Sequence, residues 1–231
     1  MARHHQEERN GWSNTNIIET TGTHTTMKLY ISPRAPNPRR VQMFLAEKGI
    51  NDLEQIPVDL NSGEHRSESY RSKSPLAKVP ALELDDGRVL TETRAICTYI
   101  EGLYPEPNLM GIDATERAFI EMADRRVEWY FMLPIANCVR HTHPGLATLE
   151  QPQFADFGAS QGEKMLGTAQ WLDGELAKQP WVAGDRFTIA DITAFCTLEF
   201  AKLMRFKAGE AGFVHLQAWR DKMAGRPSAQ I

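Results

Sequence analysis

The hydrophobic pattern begins abruptly at Met27. Leu29 to Ser32 reads as a buried strand, and after the polar loop Pro33 to Asn37 the positions Val41, Phe44, Leu45 and Ala46 recur at helical spacing until Gly49. Asn37 followed by Pro38 predicts an N-cap with proline at the first helical position. Glu54 to Leu60 is a second strand, and the polar run NSGEHRSESYRSKSP predicts a short, irregular helix. Val79 and Pro80 lead into a buried strand, ALEL; Asp85, Asp86 and Gly87 make an Asp-Gly turn, and RVL returns as its partner. A helix then carries Ala95, Ile96, Tyr99, Ile100 and Leu103 on one face, with Thr93 as the expected capping hydroxyl.

The stretch YPEPNLMGID, Tyr104 to Asp113, interrupts the helical pattern with two prolines and a glycine. It divides a βαβ-ββα domain over 27–104 from a helical domain over 113–231, with 105–112 as linker. Asp113 and Glu116 predict a capping-box-like start for a long helix through Phe119, Met122, Val127, Trp129, Tyr130 and Leu133, kinked at Pro134. A second helix runs from Phe154 to Lys178 with Leu166, Ala169, Leu172 and Leu176 inward, and Thr188 with Asp191 caps a third, buried one. Residues 1–26 show neither period and are rich in Thr, Asn and Glu, which predicts disorder and makes Met27 a candidate biological start.

Composition narrows the partners. An apolar fraction of 42% supports a core, and a net charge of −4 without a basic block argues against nucleic acid or an anionic membrane. No apolar run approaches the roughly 18 residues of a membrane span. Cys97, Cys138 and Cys196 lie far apart in apolar helical surroundings, so they read as buried thiols in a reducing, cytoplasmic compartment. His4 with His5, and His141 with His143, lack further ligands, and no metal is expected.

A strand edge opened by a Val-Pro bond, next to a helix start carrying Glu92 and Thr93, suits a peptide with a carboxylate: the ligand backbone adds to Val79 and its charge meets the helix. This stretch, together with MKLYISPRAPNPRRVQMFLAEKGI and GDRFTIADI, resembles the cytosolic glutathione transferases from about Met27 to the C-terminus. The resemblance implies an α/β plus all-α protein, a thioredoxin-like domain followed by an all-helical bundle, and a homodimer. It implies glutathione as cosubstrate, its thiol activated to attack a small hydrophobic electrophile. Val79, with a cis bond to Pro80, would pair with the cysteinyl backbone, and Glu92 with Thr93 would hold the γ-glutamyl end. His65 and Lys78 would reach the glycine carboxylate, while Arg39 and Arg40 add positive potential. Trp129, Tyr130, Leu133 and His141 are candidates for the electrophile pocket, although aromatics at helical spacing are more often core. The Thr-x-x-Asp box is a folding element of that family.

The catalytic position departs from the family pattern. Aligning APNPRRV with a serine-type loop places Ala35 where a hydroxyl is expected, which leaves Ser32 and Asn37 as the nearest substitutes. The chain is similar to a subgroup lacking the usual Tyr, Ser or Cys, in which a serine and a histidine of the second domain hold a water. RHTHPGL matches its segment and offers His141, but Ala136 and Asn137 stand near the expected serine. A thiol of pKa about 8.5 needs roughly 2.7 kcal/mol for a two-unit drop, which a helix terminus and one hydrogen bond can supply together. Two other outcomes stay open: a non-catalytic binding protein on this fold, and a glutathione-dependent isomerase or dehalogenase.

Overall fold

The computed structural model describes residues 26–33 and 35–231. The expectation for the first 25 residues lies outside the described residues; Thr26 donates from N and Oγ1 to Asp85 at 2.8 Å each. The first domain is β1 (Lys28–Ile31), α1 (Pro36–Glu47), β2 (Glu54–Pro57), α2 (Glu68–Arg71), β3 (Ala81–Glu83), β4 (Val89–Thr91) and α3 (Thr93–Leu103). A 3₁₀ turn, Glu64–Arg66, precedes α2. The four strands form one sheet in the order β2-β1-β3-β4, with β1 and β2 parallel and the other pairs antiparallel. This is the thioredoxin-like arrangement, and an all-helical domain follows it: α4 (Ala114–Val127), α5 (Leu133–Thr142), α6 (Ala155–Leu176), α7 (Ile189–Ala201) and α8 (Val214–Ala224).

Gly49 closes α1 as expected, at φ +70, with its N–H bonded to Ala46 and that of Ile50 to Leu45. The start of α1 differs from the sequence reading. Extended Ala35 is the N-cap and Pro36 the first helical residue, so Asn37 lies inside the first turn. Two prolines fit there because first-turn N–H groups have no intrahelical acceptor to lose. The N-cap of α3 is likewise Glu92, not Thr93, because one residue must turn the chain from β4 into the helix. β2 ends at Pro57, short of the predicted Leu60.

The long second-domain helix is not a simple α-helix. Glu128–Met132 forms a π-helical turn between α4 and α5, and Pro134 follows it. Proline removes the N–H that would have met the Tyr130 carbonyl; Thr168 Oγ1 on α6 donates to that oxygen at 2.7 Å. The buried face is Ile120, Ala123, Val127, Phe131 and Ile135, and the wider turn accommodates the four-residue steps from Ala123 onward. Trp129, Tyr130 and Leu133 are therefore exposed, against the default that they are core, and Phe119 and Met122 on the preceding α4 are exposed as well. On α6 the inward residue is Met165, and Leu166 points outward.

α1 joins the two domains. Its Met43 meets Cys196 of α7, while Arg226 and Ser228 near the C-terminus donate to Glu47. All three cysteines are buried and free. Among the described residues no helix is long and apolar enough to cross a membrane, and no cluster of three or more metal-ligating side chains occurs.

The predicted box at α7 is present. Asp191, with no exposure, accepts from Val182 N, Thr188 N and Trp219 Nε1 at 2.9–3.0 Å, so it ties α7 to α8 and to the preceding loop. Burial pushes its carboxyl up to about 6, against the pull of those donors. Replacing Asp191 by Ala strands three buried N–H groups and should destabilise the protein by about 3–5 kcal/mol, measured as a shift in urea unfolding. Its folded-state pKa lies above the ordinary aspartate value, so this carboxyl's contribution to stability falls as pH rises through that interval. The stability gap between the parent and Asp191→Asn should accordingly narrow between about pH 4 and pH 6.5.

Candidate active site

Strand register gathers the candidate residues. Tyr30 in β1 faces Ala81 in β3, and Ala81 faces Thr91 in β4. Because these pairs are antiparallel, the end of β1, the start of β3 and the end of β4 share one edge of the sheet. Ser32, Val79 and Glu92 with Thr93 therefore converge there. Parallel pairing of Ile31 with Pro57 brings the segment after β2, leading to His65, to the same edge.

The Val79–Pro80 bond is cis, as expected. Among the described residues neither the N–H nor the C=O of Val79 has a hydrogen-bond partner. The preceding peptide is held firmly. Lys78 C=O accepts from Tyr70 Oη at 2.8 Å and Ser74 Oγ at 2.9 Å, and Lys78 N–H donates back to Ser74 Oγ at 3.1 Å. Ser74 is fully buried, and the Tyr70 hydroxyl is pushed up to about 12 by burial, so it stays a donor. This clamp was missed in the sequence, where Ser74-Pro75 offered only a turn signal.

Glu92 is an exposed non-glycine residue at φ +67, and Thr93 behind it is buried at the first position of α3. Lys78 is exposed at the rim. His65 is buried, and its Nδ1 has no partner among the described residues. Desolvation, then the charges of Arg66 and Lys78, hold its imidazole below the usual pKa, so it is neutral at pH 7.

At the start of α1, Ala35 N–H bonds to Ser32 C=O at 3.0 Å, forming a turn. The Ser32 hydroxyl has no partner among the described residues. Pro36 and Pro38 carry no N–H, and Arg39 N–H reaches Ala35 C=O at 3.4 Å. Asn37 N–H is thus the one free main-chain donor in the first turn among the described residues. Its side chain accepts from Arg40 Nη1 at 3.2 Å rather than capping the helix.

Other candidates are occupied elsewhere. His141 is not bonded to Ser32 or Asn37. Its Nδ1 accepts from Phe154 N–H at 3.1 Å, and its ring stacks edge-on to Phe157 at 5.0 Å, fastening the end of α5 to the start of α6. Arg39 donates to Ala229 C=O at 3.0 Å, and Arg40 is buried against Glu128, so both brace the domain interface instead of facing the open edge.

The four-stranded sheet with its helices and the helical second domain define a two-domain protein with a thioredoxin-like first domain. Residues 29–108 match the glutathione S-transferase N-terminal domain, and residues 158–227 match its C-terminal domain. Glutathione S-transferase 2 of Saccharomyces cerevisiae is 35% identical over 206 residues, covering 88% of each chain. A maleylacetoacetate isomerase of Pseudomonas aeruginosa is 33% identical, covering 87% of this chain and 93% of its own. The crystal structure of a glutathione S-transferase domain-containing protein from Marinobacter aquaeolei superposes with a TM-score of 0.81 at 41% identity, covering 87% of this chain and 98% of that one. The chain belongs to the glutathione S-transferase family.

Removing the hydroxyl of Ser74 frees both sides of the Lys78 peptide, whereas removing that of Tyr70 leaves the Ser74 bonds in place. Ser74→Ala should therefore destabilise the protein by about 2 kcal/mol and Tyr70→Phe by about 1 kcal/mol in urea unfolding.

Proposed function

We propose that this chain is a glutathione transferase that lays glutathione along the open sheet edge and holds its sulfur as thiolate at the start of α1. One observation supports the reading: strand register brings the unpaired Val79 peptide and the Glu92-Thr93 helix start to the side of the sheet where β1 ends and leads through Ser32 into α1 with its free Asn37 N–H. An extended cysteinyl unit pairs with Val79, as a strand would. Its γ-glutamyl carboxylate meets the α3 N-terminus at Thr93, its ammonium meets Glu92, and its glycine carboxylate meets Lys78 and His65.

The thiol is then left beside Asn37 and Ser32, since Ala35 has no hydroxyl. A one-unit drop in thiol pKa corresponds to about 1.4 kcal/mol, just under the roughly 1.5–3 kcal/mol that one hydrogen bond to an anion can supply. Activation at that level is modest and shared. It matches the subgroup reading in lacking a dedicated Tyr, Ser or Cys, but here the donors come from the α1 loop while His141 serves the α5–α6 junction. The thiolate attacks a small hydrophobic electrophile in the cleft facing the second domain. The exposed stripe Phe119, Met122, Trp129, Tyr130 and Leu133 is unpartnered in one chain and supports a homodimer. Buried free thiols support a reducing, cytoplasmic setting.

The 33% identity to a maleylacetoacetate isomerase favours a second reading, in which the same thiolate adds to a substrate and leaves again, producing isomerisation. Calorimetric glutathione binding together with turnover of an aryl halide and of maleylacetoacetate separates these. Aryl-halide turnover supports the transferase, cis-trans turnover alone supports the isomerase, and tight binding without either leaves a binding protein.

Thr93→Ala and Glu92→Ala should each weaken glutathione binding by about 1–2 kcal/mol, read by calorimetry; unchanged affinity in both would remove the site from this edge. Ser32→Ala and Asn37→Ala should each lower turnover by roughly tenfold or less, where loss of a dedicated catalytic group costs about 10² or more.

A carboxylate bound at His65 raises an imidazole pKa that is low in the free protein. Binding should therefore take up protons and tighten as pH falls through the range in which this imidazole titrates, and His65→Gln should abolish that uptake in calorimetry run in two buffers.

A further inference from the structure

Arg40 is 2% exposed, and its Nε and Nη2 have no partner among the described residues. Its Nη1 meets Glu128 Oε1 at 2.9 Å, Asn37 Oδ1 at 3.2 Å and Met132 Sδ at 3.6 Å. A buried arginine with so much of its donor capacity unused is a poor device for stability, because the desolvation it suffers exceeds what these bonds return. Glu128 does not depend on it, since Arg125 also pairs with that carboxylate.

The geometry constrains one group, the Asn37 amide. Guanidinium has donors only, so the Asn37 atom that meets Arg40 must be the carbonyl oxygen. The amide N–H₂ is then turned away from Arg40 and finds no partner among the described residues. Asn37 also carries the free main-chain N–H of the α1 first turn. One residue thus presents two unspent donors, and the orientation of the second is set by Arg40.

We propose that Arg40 is a positioning residue for the transferase reaction: by fixing Asn37 Oδ1 inward it aims the Asn37 side-chain N–H₂ at the glutathione sulfur. Anchorage to Glu128 and Met132 in the π-helical turn makes that aim depend on the docking of the two domains. The inference rests on the reading that Asn37 stabilises the thiolate.

The test is an ultraviolet thiolate titration of the glutathione complex in the parent, Asn37→Ala, Arg40→Met and the double variant, with glutathione affinity measured alongside. Arg40→Met should raise the thiol midpoint by about half a unit or more, a part of the roughly one to two units that one oriented hydrogen bond to an anion supplies, and change affinity less than threefold. It should add nothing in the Asn37→Ala background. Asn37→Asp keeps an acceptor for Arg40 but loses the donor, so it should raise the midpoint at unchanged thermal stability. Should Arg40→Met not fold, Arg40→Gln takes its place, since a neutral amide imposes no orientation on Asn37. Shifts that add in the double variant, or an Arg40 variant with the parent midpoint while Asn37→Ala is shifted, would overturn the positioning role. An Asn37→Ala midpoint equal to the parent's would instead remove Asn37 from the thiolate site, and this inference with it.

Discussion

The structure depends on the double burial of α1. One face lies under the sheet, where Val41, Phe44 and Leu45 are buried, and the other lies against the helical domain, where Met43 meets Cys196. Few surface contacts are free to vary on such a helix. Arg39 reaches Ala229, Arg40 reaches Glu128, and Glu47 receives Arg226 and Ser228, so the C-terminal turn of the chain is tied to its first helix. A single apolar cluster accordingly runs from Leu29 through Phe131 to Met223. The start of α1, where we propose that the thiol is held, is therefore as fixed as the domain interface.

That constraint also decides which donors an anion can meet. A helix start ordinarily offers several unsatisfied N–H groups, and its dipole acts through them. Pro36 and Pro38 remove two, and Arg39 is directed to Ala35. What remains is concentrated in Asn37, so recognition at this terminus resembles a two-pronged contact from one residue more than a diffuse field. The loss of a hydroxyl at Ala35 is then less severe than it looks in sequence, since an amide N–H₂ and a main-chain N–H share one address.

Much of this was legible in the chain itself. The Asp-Gly hairpin, the Gly49 stop and the Thr188-Asp191 box each have a local cause and are present, and the cis Val79-Pro80 bond is the one that the resemblance implies. The misreadings share a different origin. Local chemistry favours Asn37 as a cap, but its side chain is claimed by Arg40, three residues on and held against Glu128 and Met132 of the second domain. For Trp129, Tyr130 and Leu133 a uniform 3.6-residue period favours core, and the π-helical turn ahead of Pro134 shifts the buried face. The Ser74 clamp on Lys78 and the buried state of Arg40 are set by contacts that spacing cannot reveal.

Glu92 shows how a local rule can be broken to a purpose. A chain leaving β4 for α3 within one residue needs a left-handed conformation, for which glycine would be the inexpensive choice. Holding a glutamate at φ +67 costs about 1–3 kcal/mol, and its exposed side chain recovers none of that through protein contacts among the described residues. Neither burial nor capping accounts for the glutamate: its side chain caps no N–H of α3, and buried Thr93 already occupies the first helical position. Glu92 stands exposed as the N-cap of α3, so a negative ligand group could meet the helix and a positive one could meet Glu92. A ligand carrying both charges on one carbon, as an α-amino acid end does, matches that pair, and this is a physical reason for the strained residue to be an acid instead of a glycine.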